Sequence, residues 1–208
     1  MKNPQRFRTF VADFTRLFEA GPGAPAPSED WLLERGSRLL ARLIGSDDWL
    51  PEEAARPHAK YYQQYLLHCD PLERFSVVSF VWGPGQRTPV HDHCTWGMVG
   101  VLRGAEQTRR FARAGKGEPL IAGDSYRLEA GQVDLLSPRE GDIHEVSNAL
   151  ADRPSISIHV YGANIGGMSR HVYEPETGIE KPFVSGYSST HLPNFWDRSE
   201  EVRAALAR

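Results

Sequence analysis

At 208 residues, 40% hydrophobic and 25% charged, the chain suits one soluble globular domain with a sizeable core. A formal net charge of -3 gives no basic field for nucleic acid, and no apolar run approaches the roughly 18 residues of a membrane helix. Only Cys69 and Cys94 are present, which excludes a disulfide framework and a Cys-x-x-Cys pair; MKNPQRFRTFVADF holds no signal-peptide core, so a cytoplasmic protein with no membrane partner is expected.

Over 4–20 the apolar positions Phe7, Phe10, Val11, Phe14, Leu17 and Phe18 recur at three- and four-residue steps and predict one stripe of a helix. GPGAPAP ends it, because each proline removes a backbone donor and each glycine loosens the chain. Ser28 is placed to cap a second helix over 29–44, acidic at its start and basic near its end, with Leu32, Gly36, Leu39 and Leu43 as its buried side. A short helix is expected around 51–59. Residues 1–60 thus read as a helical cap that shares one domain with residues 61–208.

After Lys60 the period changes to short runs of valine, isoleucine, phenylalanine and tyrosine, broken by glycine and proline. Strands are predicted near 61–67, 75–82, 88–93, 96–103, 105–112, 118–122, 125–129, 133–136, 143–147, 155–161 and 170–174. So many short strands without intervening helices predict an all-β, antiparallel jelly-roll barrel under the helical cap. Beyond Pro182 the tail reads as irregular, with Tyr187, Phe195 and Trp196 packing back and a short helix from Ser199.

Chemistry concentrates in GQRTPVHDHCTWGMVGVLRG, from Gly85. On a strand, His91 and His93 leave one face with Cα atoms about 6.5 Å apart, so both imidazoles can meet one metal ion. His144, in GDIHEVSN, is a third candidate that a barrel can bring to the same mouth. Three neutral imidazoles without a thiolate suit iron, zinc, copper, nickel or cobalt. Ser157, His159 and Tyr161 alternate along another strand and form a polar row aimed into the barrel; mutual hydrogen bonding avoids about 1 to 3 kcal/mol per unpaired buried group. Cys94, next to His93 on the strand, is expected to point away as a small buried side chain.

The spacings Gly85-x5-His91-x-His93-x3-Gly97-x6-Gly104 and Pro138-x2-Gly141-x2-His144-x3-Asn148 resemble the two cupin motifs, with Gly97 where cupins commonly carry a glutamate ligand. Within the cupins, TPVHDHCTWG, SPREGDIHEVSN, SISIHVYGANIG and KPFVSGYS resemble the cysteine dioxygenase family, and most nearly its bacterial 3-mercaptopropionate dioxygenases. The resemblance implies Fe(II) on His91, His93 and His144, a relay of Ser157, His159 and Tyr161 ending beside the iron, and a thiol substrate oxidised with O2 to its sulfinic acid. It implies no thioether on Tyr161, since the crosslinking cysteine position is Gly97. It also implies a carboxylate held by Arg170, with Gln64 standing where cysteine-preferring enzymes carry an arginine. Other readings stay open: a cysteine dioxygenase with the same chemistry, a metal-dependent cupin isomerase or hydrolase, and a noncatalytic cupin that binds a small anion.

Overall fold

A computed structural model describes residues 3–19, 26–115, 117–189 and 199–207. Helix α1 spans Pro4–Arg16 and α2 spans Glu29–Ile44; the Ser28 hydroxyl accepts from the Trp31 N–H at 3.3 Å, as the capping pattern required. The expected short helix is a single 3-10 turn, Glu52–Ala55.

Eleven strands follow among the described residues: β1 Gln63–Cys69, β2 Ser76–Trp82, β3 Val90–His91, β4 Gly97–Arg103, β5 Ala105–Arg113, β6 Leu120–Glu129, β7 Val133–Leu136, β8 His144–Asn148, β9 Ser155–Tyr161, β10 Arg170–Glu174 and β11 Ile179–Phe183. They form two antiparallel sheets, β1-β2-β9-β4-β7 and β11-β10-β3-β8-β5-β6, which face one another as the two layers of a jelly roll. The chain closes with α3, Ser199–Leu206; Phe195 and Trp196 lie outside the described residues.

The central strands of the first sheet, β2, β9 and β4, are buried on both faces. Ile156, Ile158 and Val160 of β9, with Val77 and Val81 of β2, join Phe10, Phe14, Leu40 and Leu43 of the helices in one core cluster. Each such side chain contributes about 1.5 to 3 kcal/mol on burial. Alternation then sends Ser157, His159 and Tyr161 into the barrel, where Val78, Phe80, Trp82, Val99 and Leu136 form the inner core with Tyr161. The helices therefore back the sheet that carries the polar row. Gly36 lets α2 approach that sheet: a Cβ there would lie 2.5 Å from Met98 Cε and 2.7 Å from Phe14 Cε2.

Several expectations change. Leu39 is only half-buried, and Leu40 takes its place in the core, because α2 turns Leu33, Leu40 and Ile44 inward beside Leu32, Gly36 and Leu43. The two strands foreseen at 118–122 and 125–129 are one, since a bulge opposite Arg110 absorbs Gly123 and Asp124 without ending the ladder with β5. β11 was not foreseen; it is an edge strand, where Pro182 needs no ladder partner for its missing N–H. No described helix is long and apolar enough to cross a membrane.

Candidate metal centre and adjoining cleft

The predicted strand at 88–93 shrinks to Val90–His91. His91 pairs directly across the ladder with His144, which places two imidazoles side by side. His93 lies beyond the strand and is positioned otherwise: its backbone N–H donates to Asp142 Oδ2 at 2.8 Å, and that oxygen stands 3.4 Å from Nδ1 of the same ring. Cys94 then adopts φ +55, turning the chain out of the sheet. Its side chain is exposed rather than buried, with Sγ 3.6 Å from Asp92 Oδ1.

His91, His93 and His144 converge with ligand nitrogens within 4.8 Å of one another and ring centroids 4.8 to 4.9 Å apart. His91 Nδ1 is 3.0 Å from Pro89 O; a carbonyl only accepts, so that nitrogen carries the proton and Nε2 is left as a donor to metal. Both ring nitrogens of His93 and Nδ1 of His144 are buried without a hydrogen-bond partner among the described residues. Burial holds all three imidazoles neutral, His91 at about 4 and the other two well below the usual histidine range. Three buried, neutral imidazoles, each with one ligand nitrogen in the same cluster and several ring nitrogens otherwise unpartnered, fit a metal ion.

The polar row runs into this cluster. Ser157 Oγ lies 2.8 Å from His159 Nε2, and His159 Nδ1 lies 2.7 Å from the Tyr161 hydroxyl. Tyr161 stacks on His93 at 5.4 Å, while Phe80 covers the His159 ring at 4.1 Å. Burial lowers His159 to about 3 and raises Tyr161 above its ordinary value, so both are neutral near pH 7. Gly97 is the cross-strand partner of Tyr161; a Cβ there would come within 3.0 Å of Tyr161 Cδ1. With no side chain at that position, neither a carboxylate ligand nor a crosslinking sulfur is available from it.

Against the other side of His91 lies a cleft lined by Tyr62, Gln64, Phe80, Arg170, Phe183 and Ser185. Its cavity is about 20 Å³, room for about one water molecule, so anything larger must displace lining side chains. Arg170, which sequence alone could not distinguish from a surface arginine, is 3% exposed. It donates to Ser185 Oγ at 2.8 Å and lies 4.5 Å over the Phe183 ring, but its Nε has no partner and no described carboxylate pairs with it. Burial pulls its pKa down from the ordinary arginine value. Asp92 was also missed: it accepts from His171 N at 2.8 Å and from the Tyr173 hydroxyl at 2.7 Å, and its Oδ2 lies 2.8 Å from His171 Nδ1. These contacts bind the end of β3 to β10, and so fix His91 relative to Arg170. The clue was an acidic residue inside a His-x-His pair.

The sequence model described as cysteine dioxygenase type I matches residues 61–172, more than half of the chain. The chain belongs to the cysteine dioxygenase family. The matched segment begins before β1 and ends within β10, spanning the three histidines, the polar row and Arg170. Members of this family are non-haem iron enzymes that act on thiols with O2, and the three-histidine group fits that chemistry. Among solved structures, a Klebsiella pneumoniae protein with a double-stranded beta-helix domain is 17% identical, with 66% of this chain and 97% of that chain covered and a TM-score of 0.44. A Cupin 2 conserved barrel domain protein from Salinispora arenicola is 19% identical over 56% of this chain and 87% of its own, at a TM-score of 0.40. A cupin-like protein from Thermotoga maritima is 20% identical over 56% and 80%, also at 0.40. These distant likenesses carry no functional argument.

Proposed function

We propose that this protein is an Fe(II)-dependent thiol dioxygenase whose preferred substrate is a small mercapto carboxylic acid, with 3-mercaptopropionate the best fit. The observation that carries the substrate reading is a buried guanidinium that no described carboxylate pairs with, in the same cleft as a histidine of the cluster. Such a group favours an incoming carboxylate, which it can take through paired, charge-assisted hydrogen bonds. Gln64, in that cleft, adds a neutral amide where a second cation would suit an additional charge.

The reaction is RSH + O2 → RSO2H. Sulfur is oxidised by four electrons, O2 is reduced by four, and the single proton remains on the product acid. Fe(II), held by His91, His93 and His144, supplies when bound a centre that favours the thiolate and activates O2. The chain's own residues do the rest. Arg170 fixes the carboxylate end of the substrate. Tyr161, oriented by His159 and Ser157, presents a hydroxyl that can give or accept a hydrogen bond beside the histidine cluster. Phe80 and Tyr62 keep the row and cleft dry, which strengthens each of these contacts.

The test is to load purified protein with Fe(II) anaerobically, add 3-mercaptopropionate, cysteine or cysteamine, and follow O2 loss together with sulfinate. Sulfinate from 3-mercaptopropionate at the highest kcat/KM is expected. No sulfinate from any thiol would reject the activity; a strong cysteine preference would reject the substrate reading and leave the chemistry.

A further inference from the structure

At the far end of the Ser157–His159–Tyr161 row stands a carboxyl group that the row does not explain. Glu106 belongs to β5, in the opposite sheet, and is fully buried. Across the barrel interior its side chain meets the Ser157 hydroxyl and the Trp82 indole N–H, although neither of its oxygens closes a complete hydrogen bond. Trp82 Nε1 also donates to Ser157 Oγ at 3.3 Å. No described cation faces this carboxyl. Its cross-strand neighbours are Leu128 on β6 and Asn148 on β8, Thr108 is next along its own face, and β2 and β9 present Trp82 and Ser157, with His159 beyond. The Asn148 amide N–H groups are taken by Trp82 O and Arg153 O.

We propose that Glu106 is a positioning residue that sets the direction of the hydrogen-bond row: ionised, it turns the row toward itself, and neutral, it releases the Tyr161 hydroxyl proton toward the histidine cluster. This role rests on Tyr161 acting as the end of a relay in the proposed dioxygenase. Its logic is the donor count. Ser157 has one proton and two lone pairs, and Trp82 N–H occupies one lone pair. Neutral His159 has one N–H and one lone pair. A Glu106 carboxylate can only accept, so it takes the Ser157 proton. Ser157 then accepts from His159 Nε2–H, and Nδ1 accepts the Tyr161 proton. A Glu106 carboxylic acid donates to Ser157 instead. Ser157 then donates to Nε2, Nδ1–H donates to the phenol oxygen, and the Tyr161 proton is free to point into the cavity. Either arrangement gives Ser157, His159 and Tyr161 their partners once the Glu106 side chain closes onto Ser157.

They differ by one proton. On passing from the first to the second, Ser157 gives a proton to Glu106, Nε2 gives one to Ser157, Tyr161 gives one to Nδ1, and the phenol oxygen takes one from the cavity. Burial without a counter-ion raises Glu106 to about 7, which puts both states within reach at neutral pH.

The test uses the metal-free, full-length protein with 15N-labelled histidine. Two-bond nitrogen–proton spectra report which nitrogen of His159 carries the proton, and H159F assigns the resonances. From pH 5.5 to 8.5 the expected result is Nδ1–H at the acid end and Nε2–H at the basic end, with the exchange lost in E106Q, or in E106M should E106Q fail to fold. One tautomer throughout in the wild type, or an unchanged exchange in the variant, would overturn the proposal. Y161F in the iron-loaded enzyme separates the two readings. If Y161F turns over 3-mercaptopropionate at the wild-type kcat, the relay reading fails. If Y161F is slow and the tautomer of His159 ignores Glu106, only the positioning proposal fails.

Discussion

Replacing Arg170 by methionine should raise stability and abolish preference at once. The guanidinium is 3% exposed and, among the described residues, has an orphaned Nε and one hydroxyl partner, Ser185. A buried charge without a counter-charge costs several kcal/mol, and apolar replacement of buried ionic groups is often neutral or stabilising by about 1 to 4 kcal/mol. In a chain of this length each kcal/mol moves Tm by about 2 to 4 °C, so R170M should melt at or several degrees above the wild type. Its substrate contacts are worth the opposite. Two charge-assisted hydrogen bonds at about 1.5 kcal/mol each, the low end of their range, amount to about a hundredfold in kcat/KM. Steady-state O2 uptake should show that loss for 3-mercaptopropionate, and less than about threefold for cysteamine, which has no carboxylate. Equal losses on both thiols would remove Arg170 from substrate binding, and a Tm lowered by several degrees would make it a structural residue.

Three further outcomes are expected. Gly97→Ala pushes a methyl to within 3.0 Å of Tyr161 Cδ1, so the ring must shift by a few tenths of an ångström; kcat should fall about tenfold while the melting curve barely moves, and an unaffected kcat would count against any need for Tyr161 in that place. Glu106 is raised from 4.5 to about 7, which means the native state favours the protonated form: its stability is whole below about pH 4.5 and declines as pH rises through about 7. The raised value corresponds to about 3 kcal/mol, so urea unfolding of E106Q and wild type should agree near pH 4 and separate in favour of E106Q by about that amount at pH 8; a gap independent of pH would contradict it. Anaerobic Fe(II) at a hundred times its dissociation constant should stabilise the protein by about 2.7 kcal/mol, a rise of about 5 to 10 °C, and His144→Ala should erase the rise; the same shift in that variant would place the metal elsewhere.

The barrel was legible because strand alternation and turn residues are local signals: β9 was read to the residue, since its two faces serve two different cores. The histidine triad was legible by spacing, yet not in its geometry. Alternation on one long strand was the expected device for His91 and His93, whereas the strand stops at His91 and a side chain 49 positions away, Asp142, holds His93. Cys94 departed from expectation for the same reason, as a residue at positive φ no longer obeys the strand's alternation. Arg170 and Glu106 show where local reading ends. Each is an ordinary charged residue on a strand, and only the strands facing it across the barrel reveal that, among the described residues, no opposite charge forms an ion pair with it.

The helices packed behind the first sheet have a consequence for how the molecule opens. β9 is covered on one face by α1 and α2 and on the other by the barrel core, and is paired on both edges, so its amides exchange with solvent only when the whole fold opens. β11 is an edge strand with four of its five residues exposed. It carries Phe183, which lies over Arg170, so the wall over the Arg170 end of the cleft is expected to open by local fluctuation. Deuterium uptake should therefore be fast in β11 and slow in β9. On the proposed reading, the polar row sits in the half that stays closed and the substrate's carboxylate would enter through the half that opens.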